Sequence, residues 1–295
     1  MKPSGCAVEP AWIEPEWPAP AQVRALSTLR GGGASTAPYA SLNLGGHVGD
    51  VAAAVAENRR CLAAAAGLPS EPVWLAQVHG IDVADLDAGA QADAARRADA
   101  PGLVDASGRA HVSERSVPQR AQPADAAFTR QPGRVCAILT ADCLPILLAA
   151  DSGDLVAAVH AGWRGLAGGV IEATVRALGV APAKLLAWLG PAIGPGHFEV
   201  GAEVRGALLR GDSGAEAAFA PNARGRFMAD LPELARRRLA SLGVGRIYGG
   251  GHCTYAEGAL YFSHRRDGLT GRQATLIWLD SPNHGSRSSS VRFMA

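Results

Sequence analysis

Three side chains that can bind a metal ion stand at the ends of short apolar runs in this sequence. Each has its own motif: His79 in QVHG, Cys143 in TADCLP and His160 in VHAGWRG. Two imidazoles and one thiolate would give a zinc ion three ligands and leave a fourth position open, which is typical of catalytic zinc sites. If the fold brings the three residues together, the sequence predicts a metal-dependent catalytic centre.

The surroundings of Cys143 leave its role open. A cysteine at a strand edge is more often a small buried hydrophobe than a ligand. Asp142 before it and Pro145 after it indicate an irregular strand end, where neighbouring side chains can serve one site. We interpret Asp142 as a residue that orients a ligand or shuttles a proton. His160 follows after one further predicted strand, so it meets Cys143 only if the antiparallel register allows it.

Several arginines are suited to binding a phosphate or a carboxylate, because a guanidinium group can donate two parallel hydrogen bonds. Arg59 lies on the first predicted helix, and Arg265 follows a predicted strand. Arg164 lies beside the predicted start of a helix at Gly165, whose main-chain amides could hold an anion. We assign these three arginines, with Asn43 of the SLNLG motif, to substrate or phosphate binding. The alternative for each arginine is a solvated position or a structural ion pair.

The composition bounds the class of protein. The chain has 295 residues, 48% of them hydrophobic and 19% charged, which is enough for one large domain or two. A net charge of +1 gives no indication of nucleic acid or an acidic membrane surface as a partner. The longest apolar stretches are too short to span a bilayer, and we expect no secretory signal. Five scattered cysteines, an odd number, favour free thiols over a disulfide framework. We therefore expect a cytoplasmic protein.

The elements that must position these residues follow from the hydrophobic pattern. Short apolar runs predict strands at 23–29, 73–78, 135–139, 144–149, 155–159, 185–189, 246–248, 259–262 and 274–279. Helical spacing predicts helices at 51–66, 165–178, 202–209 and 231–242. Asp50 and Asp230 are predicted N-caps, and Gly67 is predicted to end the first helix. Strands outnumber helices and do not alternate strictly with them, which favours an α+β layered sandwich over a doubly wound sheet.

We predict a single catalytic domain over residues 21–280. Residues 1–20, which are rich in Pro and Trp, are predicted to form an extended lead-in. Small and polar residues dominate 88–124, which predicts a flexible insertion. The Ser- and Arg-rich residues 281–295 are predicted to form a disordered tail.

Further motifs complete a recognisable set, namely SLNLG at 41–45, HVGD at 47–50, WLGPAIGP at 188–195, FEVG at 198–201, CTY at 253–255 and FSHRRD at 262–267. With the three metal-ligand motifs, they resemble the multicopper polyphenol oxidase (laccase-domain) family over roughly residues 20 to 280. That family is also described as the peptidoglycan editing factor and purine nucleoside phosphorylase family. The chain departs from the family pattern in its long insertion, in His264 where a Tyr is usual, and in His252 just before Cys253.

The resemblance implies zinc ligands at His79, Cys143 and His160, with one zinc ion per chain and copper as the second choice. It implies a sandwich of mixed β-sheets flanked by helices, similar to a bacterial toxin deamidase fold. It also implies phosphorolysis of adenosine, inosine, guanosine and methylthioadenosine, with adenosine deamination as a second activity. Cys143, Asp142 and His160 are the expected catalytic residues, and small molecules are the expected partners. The oligomeric state stays open.

Three other functions are alternatives to phosphorolysis. Some family members are described as editing a peptidoglycan precursor, and there Cys143 would be a nucleophile with His160 as its base, or the site would be a metal hydrolase. Polyphenol oxidation needs several copper centres, whereas this chain has 8 His and no His-x-His pair. A binding module without enzymatic activity is the remaining class.

Overall fold

The computed structural model describes residues 9–88 and 123–281. The insertion predicted at 88–124 and the tail predicted at 281–295 therefore lie almost wholly outside the described residues. Part of the predicted lead-in is described, and it contributes a short strand that pairs antiparallel with the next one.

Strands outnumber helices along the described residues. The strands are β1 (Trp12–Ile13), β2 (Val23–Thr28), β3 (Val73–Trp74), β4 (Val83–Asp85), β5 (Ala126–Thr129), β6 (Val135–Thr140), β7 (Leu144–Ala150), β8 (Val156–Ala161), β9 (Leu185–Leu189), β10 (Glu199–Val200), β11 (Phe219–Pro221), β12 (Phe227–Ala229), β13 (Arg246–Gly249) and β14 (Gln273–Leu279). The α-helices are α1 (Ala52–Ala66), α2 (Trp163–Gly168), α3 (Val170–Leu178), α4 (Ala202–Leu209), α5 (Leu231–Ser241) and α6 (His264–Asp267). Short 3-10 segments cover Pro182–Lys184 and Ser213–Ala218.

Two large mixed sheets dominate the architecture. The five-stranded sheet has the order β1-β2-β14-β6-β3, and the six-stranded sheet has the order β13-β9-β7-β8-β5-β4. Most neighbours are antiparallel, but β3 runs parallel to β6, β4 parallel to β5, and β13 parallel to β9. A small third sheet has the order β10-β12-β11. The predicted α+β class with mixed sheets is confirmed.

The two large sheets pack face to face, with helices on their outer faces. Side chains from both sheets share one apolar cluster, including Ile138 and Ile277 from one sheet and Leu147 and Val156 from the other. Helices α3 and α5 cover the far face of the six-stranded sheet, and Leu62 of α1 packs on the far face of the other. Because β7 and β8 are buried on both faces, they form continuous apolar runs rather than alternating ones.

Two predicted elements are wrong. Residues 259–262 form no strand, because the amides of Leu260 and Tyr261 donate to the carbonyl of Glu257 and so close a turn. The helix predicted at 165–178 is two helices, since Gly169 interrupts it with a φ of 97°. Only a glycine adopts that conformation without strain.

Two predicted boundaries also change. Asp50 does not cap α1; Val51 occupies the N-cap position and makes no side-chain cap. The Asp50 carboxylate instead accepts hydrogen bonds from the side chains of Ser35 and Asn43. These contacts connect both residues to the start of the helix. The strand predicted at 73–78 ends at Trp74, and the chain then turns away from the sheet. Asp230 does cap α5 by accepting the main-chain N–H of Glu233, as predicted.

Candidate metal centre

The register of β7 and β8 brings Cys143 and His160 to one place. Leu144 pairs with Ala161 and Pro145 pairs with His160. Side chains alternate between the two faces of a strand. Leu144 and Ala161 belong to the cluster under the helices, so Cys143 and His160 project from the opposite face, toward the five-stranded sheet. The register that the sequence left open is therefore the one that joins them.

His79 reaches the same place from the connection between the two sheets. It lies between β3 of the five-stranded sheet and β4 at the edge of the six-stranded one. Its φ of 61° lies in the left-handed region, which a non-glycine residue adopts only where its surroundings hold it. The Asp125 carboxylate supplies that hold by accepting the main-chain N–H groups of Val78, His79 and Gly80, at 3.2, 2.9 and 2.6 Å.

Asp125 also orients His160. Its Oδ1 atom lies 2.8 Å from His160 Nδ1, and both side chains are almost fully buried. A carboxylate accepts the proton of Nδ1, so Nε2 is left for the interior of the cluster. When one ring nitrogen of a histidine binds a metal, a carboxylate commonly accepts the proton of the other nitrogen. This contact fixes the orientation of the ring and raises its basicity. Hydrogen bonds from His160 and from main-chain amides outweigh burial and hold the pKa of Asp125 below its usual range.

Asp125 is not among the residues that the sequence motifs indicate. It lies directly after the predicted insertion and directly before the apolar residues of β5. A single aspartate in that position has no spacing pattern that marks it as part of a site. Its only signal was a charged residue at the start of a strand that is otherwise fully buried.

The three predicted ligands form one compact cluster. Their donor atoms all lie within 4.8 Å of one another, and Cys143 Sγ lies 4.0 Å from His79 Nε2. The imidazoles of His79 and His160 meet edge to face, with ring centroids 4.8 Å apart. His160 is buried, Cys143 is half-buried and His79 is exposed. The cluster is therefore closed on the protein side and open to a substrate on the side of His79.

Gly162 makes room for this cluster. One step beyond the pair of Leu144 and Ala161, the register sets Gly162 opposite Cys143. A Cβ atom at Gly162 would lie 2.8 Å from Cys143 Sγ and 3.3 Å from Cδ2 of His79. The glycine of the HAGWRG motif is thus required by the close approach of the thiol.

Cys143 and His160 shift each other's pKa toward the thiolate and imidazolium forms. Burial raises the pKa of Cys143, but hydrogen bonds and positive charge from His160 and His79 outweigh it and bring that pKa to about 6. Burial lowers the pKa of His160, but Asp125 and the Cys143 thiolate outweigh it and raise that pKa to about 9. The thiolate is the form of cysteine that binds a metal or attacks a substrate.

The donor set fits a zinc ion. One thiolate and two imidazole nitrogens are the ligand types that zinc prefers, and three protein ligands leave a coordination position for a reactant. Over residues 9–88 and 123–281, this is the one group of three or more His, Cys, Asp or Glu side chains placed closely enough to share an ion. The described part of the chain therefore offers one candidate site for a metal ion.

Asp142 lies beside the cluster, but both of its carboxylate oxygens are engaged. Oδ1 accepts the hydroxyl of Thr254 at 2.7 Å, and Oδ2 accepts the main-chain N–H of Arg265 at 2.6 Å. Its carbonyl accepts the N–H of Ile193. Asp142 therefore ties the turn that carries Cys143 to three other segments of the chain.

The four residues assigned to substrate or phosphate binding have different surroundings. Arg59 donates from both Nε and Nη2 to the carbonyl of Leu44. Asn43 is fully buried, and its side chain bonds to Gly45, Asp50 and Arg272. Arg265 donates to the carbonyl of Glu199, and Arg164 is exposed and stacks on Trp163.

The two histidines that depart from the family pattern have local partners. His252 pairs with Glu257 at 3.1 Å, and His264 donates from Nδ1 to the carbonyl of Gly268 at 2.6 Å.

The remaining sequence expectations concern thiols and membranes. Cys136, Cys143 and Cys253 are free thiols. No helix in the described ranges is long and apolar enough to cross a bilayer.

Several known proteins are similar to this chain. The model of a family described as multi-copper polyphenol oxidoreductase laccase matches residues 24–280. A purine nucleoside phosphorylase of Pseudomonas aeruginosa is 49% identical over 270 residues, which cover 91% of this chain and 98% of that protein. The purine nucleoside phosphorylase YfiH of Escherichia coli K12 is 49% identical over 267 residues, covering 90% of this chain and 98% of that protein.

Solved structures share the fold. The Neisseria meningitidis protein NMB0706, of family DUF152, has a TM-score of 0.78 at 43% identity and covers 92% of this chain and 99% of its own. YlmD from Geobacillus stearothermophilus also has a TM-score of 0.78, at 33% identity, and covers 92% of this chain and 97% of its own.

Proposed function

Because this chain belongs to the multi-copper polyphenol oxidoreductase laccase family, we propose that it is a zinc-dependent purine nucleoside phosphorylase. Its substrates would be adenosine, inosine, guanosine and methylthioadenosine, with adenosine deamination as a second activity. His79, Cys143 and His160 would hold one zinc ion per chain.

The observation that carries this proposal is the single three-ligand cluster, open on one side. A structural zinc site is closed by four protein ligands, whereas a catalytic one keeps a position for a reactant. Relatives that share almost half of their residues with this chain over nearly their whole length are named purine nucleoside phosphorylases. The cluster supports metal dependence, and the relatives support the reaction.

In phosphorolysis, a phosphate oxygen forms a bond to C1′ of the sugar while the bond between C1′ and the purine nitrogen breaks. The electron pair of that bond leaves with the purine, which takes up a proton. A bound zinc ion would supply Lewis-acid polarisation of a substrate atom. Asp125 would hold His79 and His160 in fixed orientations, and Gly162 would leave space beside Cys143. The hydrogen bonds of Asp142 support a positioning role for it rather than a proton shuttle.

The test is phosphate-dependent release of hypoxanthine from inosine by zinc-loaded protein. Release should need both phosphate and zinc, and it should be absent in Cys143→Ala. Parallel assays with adenosine, guanosine and methylthioadenosine would set the substrate range. A zinc-loaded, folded protein that releases no purine from any of them would reject the proposal.

A second function is favoured by the Cys143 and His160 pair itself. A thiolate beside an imidazolium is also the arrangement of a cysteine hydrolase, such as one that edits a peptidoglycan precursor. The two functions differ in metal dependence. Activity toward a cell-wall precursor after chelation, with a covalent adduct trapped on Cys143, would select the hydrolase.

A further inference from the structure

The side chain best placed to bind an anion next to the cluster is one that the sequence did not single out. Arg272 immediately precedes β14, whose first residue, Gln273, pairs with Thr140 at the end of β6. The chain turns after Thr140 toward Cys143 and β7. Arg272 and Cys143 therefore lie at the same end of the sandwich.

One side of the Arg272 guanidinium is fixed by the protein. Nη1 donates to the carbonyls of Thr270 and Gly271, at 3.0 and 2.9 Å. The main-chain N–H of Arg272 donates to Oδ1 of Asn43 at 2.8 Å, and a Cβ atom at Gly45 would lie 2.8 Å from the Cγ of Arg272. Asn43 and Gly45 of the SLNLG motif thus position the arginine.

The other side of the guanidinium is free. Nε and Nη2 of Arg272 donate to no residue in the described ranges, and neither atom is a buried orphan. This edge presents two parallel N–H groups, which match two oxygens of a phosphate. Arg59 offers no such edge, because its Nε and Nη2 both donate to Leu44.

The electrostatic surroundings agree with this placement. Burial lowers the pKa of Arg272, while the charges of Cys143 and Asp142 oppose that change, so the guanidinium lies within their reach. Burial also lowers the pKa of His47, and the charges of Arg272, Arg59 and both cluster histidines lower it further. Several positive groups thus converge beside the cluster.

Two buried hydroxyls next to Arg272 lack partners. Oγ1 of Thr140 and Oγ1 of Thr270 make no hydrogen bond to the described residues, and their side chains are 2% and 1% exposed. A buried hydroxyl without a partner costs about 1–3 kcal/mol, so its presence in a native site calls for a ligand or water. Thr270 lies close before Arg272 in the chain, and Thr140 pairs across the sheet with Gln273, the residue after Arg272.

We propose that Arg272 binds the phosphate co-substrate beside the metal centre, through the edge formed by its Nε and Nη2 atoms. The identity of the anion rests on the proposed phosphorolysis, whereas the binding of an oxyanion at this edge does not.

The test compares Arg272→Lys with the wild type in zinc-loaded protein. Lysine keeps the charge but cannot donate two parallel hydrogen bonds. The KM for phosphate should rise about tenfold or more, with the KM for inosine within about twofold. Calorimetric titration with inorganic phosphate alone should show the same weakening. Arg176→Lys, on an exposed position of α3, is the matched control and should change neither value.

The outcomes separate the two proposals. If wild-type protein binds phosphate and Arg272→Lys does not, but no purine is released from any nucleoside, the anion site stands and the phosphorylase proposal falls. If purine is released and Arg272→Lys retains the wild-type phosphate KM, the Arg272 proposal falls and the phosphorylase stands. The Arg272 proposal would also be overturned if Arg164→Met abolished phosphate binding while Arg272→Lys bound phosphate as tightly as the wild type. Because Arg272→Met removes contacts to Thr270 and Gly271 and can unfold the loop, it serves only as a confirming variant.

Discussion

The Asp125 carboxylate accepts the Nδ1 proton of His160 at 2.8 Å while it also accepts three successive main-chain amides around His79. One buried carboxylate thus positions both histidines of the candidate metal centre. The ring of one histidine and the backbone of the other depend on the same two oxygen atoms. Removing the charge of that carboxylate should disturb both ligands together.

Asp125→Asn should therefore weaken zinc binding by about 10- to 100-fold. The amide has one acceptor oxygen where the carboxylate has two, and its NH₂ group faces donors. Zinc affinity measured by competition with a chromogenic chelator checks the prediction. Asp82→Asn, an exposed site nearby, should leave the affinity unchanged. Equal affinities in the Asp125 variant and the wild type would contradict a role in orienting the ligands.

Gly162→Ala should displace the Cys143 thiol. The added methyl would lie 2.8 Å from Sγ, and φ at this position is −64°, so the backbone itself accommodates alanine. We expect a loss of about 1–3 kcal/mol in the free energy of unfolding, with reduced zinc content. Urea denaturation and elemental analysis measure the two effects.

Gly206→Ala provides the comparison, because a Cβ atom there meets nothing within 4 Å and the residue lies inside α4. Alanine is the better helix former, so this variant should be as stable as the wild type or slightly more so. If both glycine variants kept full zinc content, close packing against the thiol would not be the reason for Gly162.

Cys143 should react as a thiolate at neutral pH after zinc is removed by chelation. Its pKa of about 6 predicts that the rate of alkylation by iodoacetamide rises through pH 6 and then levels off. Zinc should protect the thiol, and zinc should be lost as the pH falls through about 6, because protons then compete for the ligand. Mass spectrometry of the modified peptide gives the rate at each pH.

Cys136 should stay unmodified in the same samples, since burial raises the pKa of its thiol. Cys143→Ala should lack the fast-reacting component. A midpoint near pH 8.5, the value of an ordinary cysteine, would show that the histidines do not stabilise the thiolate.

Asp142→Asn should lower stability because the residue joins three loops. The amide oxygen can accept the N–H of Arg265, but its NH₂ group then faces Thr254 Oγ1, which loses the acceptor for its proton. The expected cost is about 1–3 kcal/mol in the free energy of unfolding. A double-mutant cycle with Thr254→Val measures how much of that cost belongs to the contact. A large loss of kcat with unchanged stability and no coupling would instead support proton transfer by Asp142.

The parts of the fold that could be predicted are those whose signal is local. Strands such as β7 and β9 are buried on both faces, so their sequences are uninterrupted apolar runs bounded by turn residues. The caps at Gly67 and Asp230 act within one helical turn. By contrast, residues 259–262 form a turn whose Tyr261 and Phe262 side chains are buried in the protein. Their apolar composition does not distinguish such a turn from a strand.

The candidate site also has parts that could be predicted from the sequence and parts that could not. The three ligands stand in distinctive motifs, so their identity was visible, but their meeting depends on a register that only the folded sheet defines. Asp125 acts through contacts with residues that are distant in the chain. Whether an arginine is free to bind an anion is also a property of its contacts. Arg59 and Arg272 differ in which atoms the surrounding carbonyls occupy, and no sequence pattern records that difference.

The position of His79 on the crossover between the sheets links metal binding to the folding of the whole sandwich. An ion shared by His79, Cys143 and His160 would connect the segment that follows β3 of the five-stranded sheet to β7 and β8 of the six-stranded sheet. Neither sheet alone contains the complete ligand set, so partial unfolding on either side would release the ion. The melting temperature should therefore rise with the concentration of free zinc, and metal release should coincide with global unfolding. The bound ion would then stabilise the assembled fold in addition to its role in the reaction.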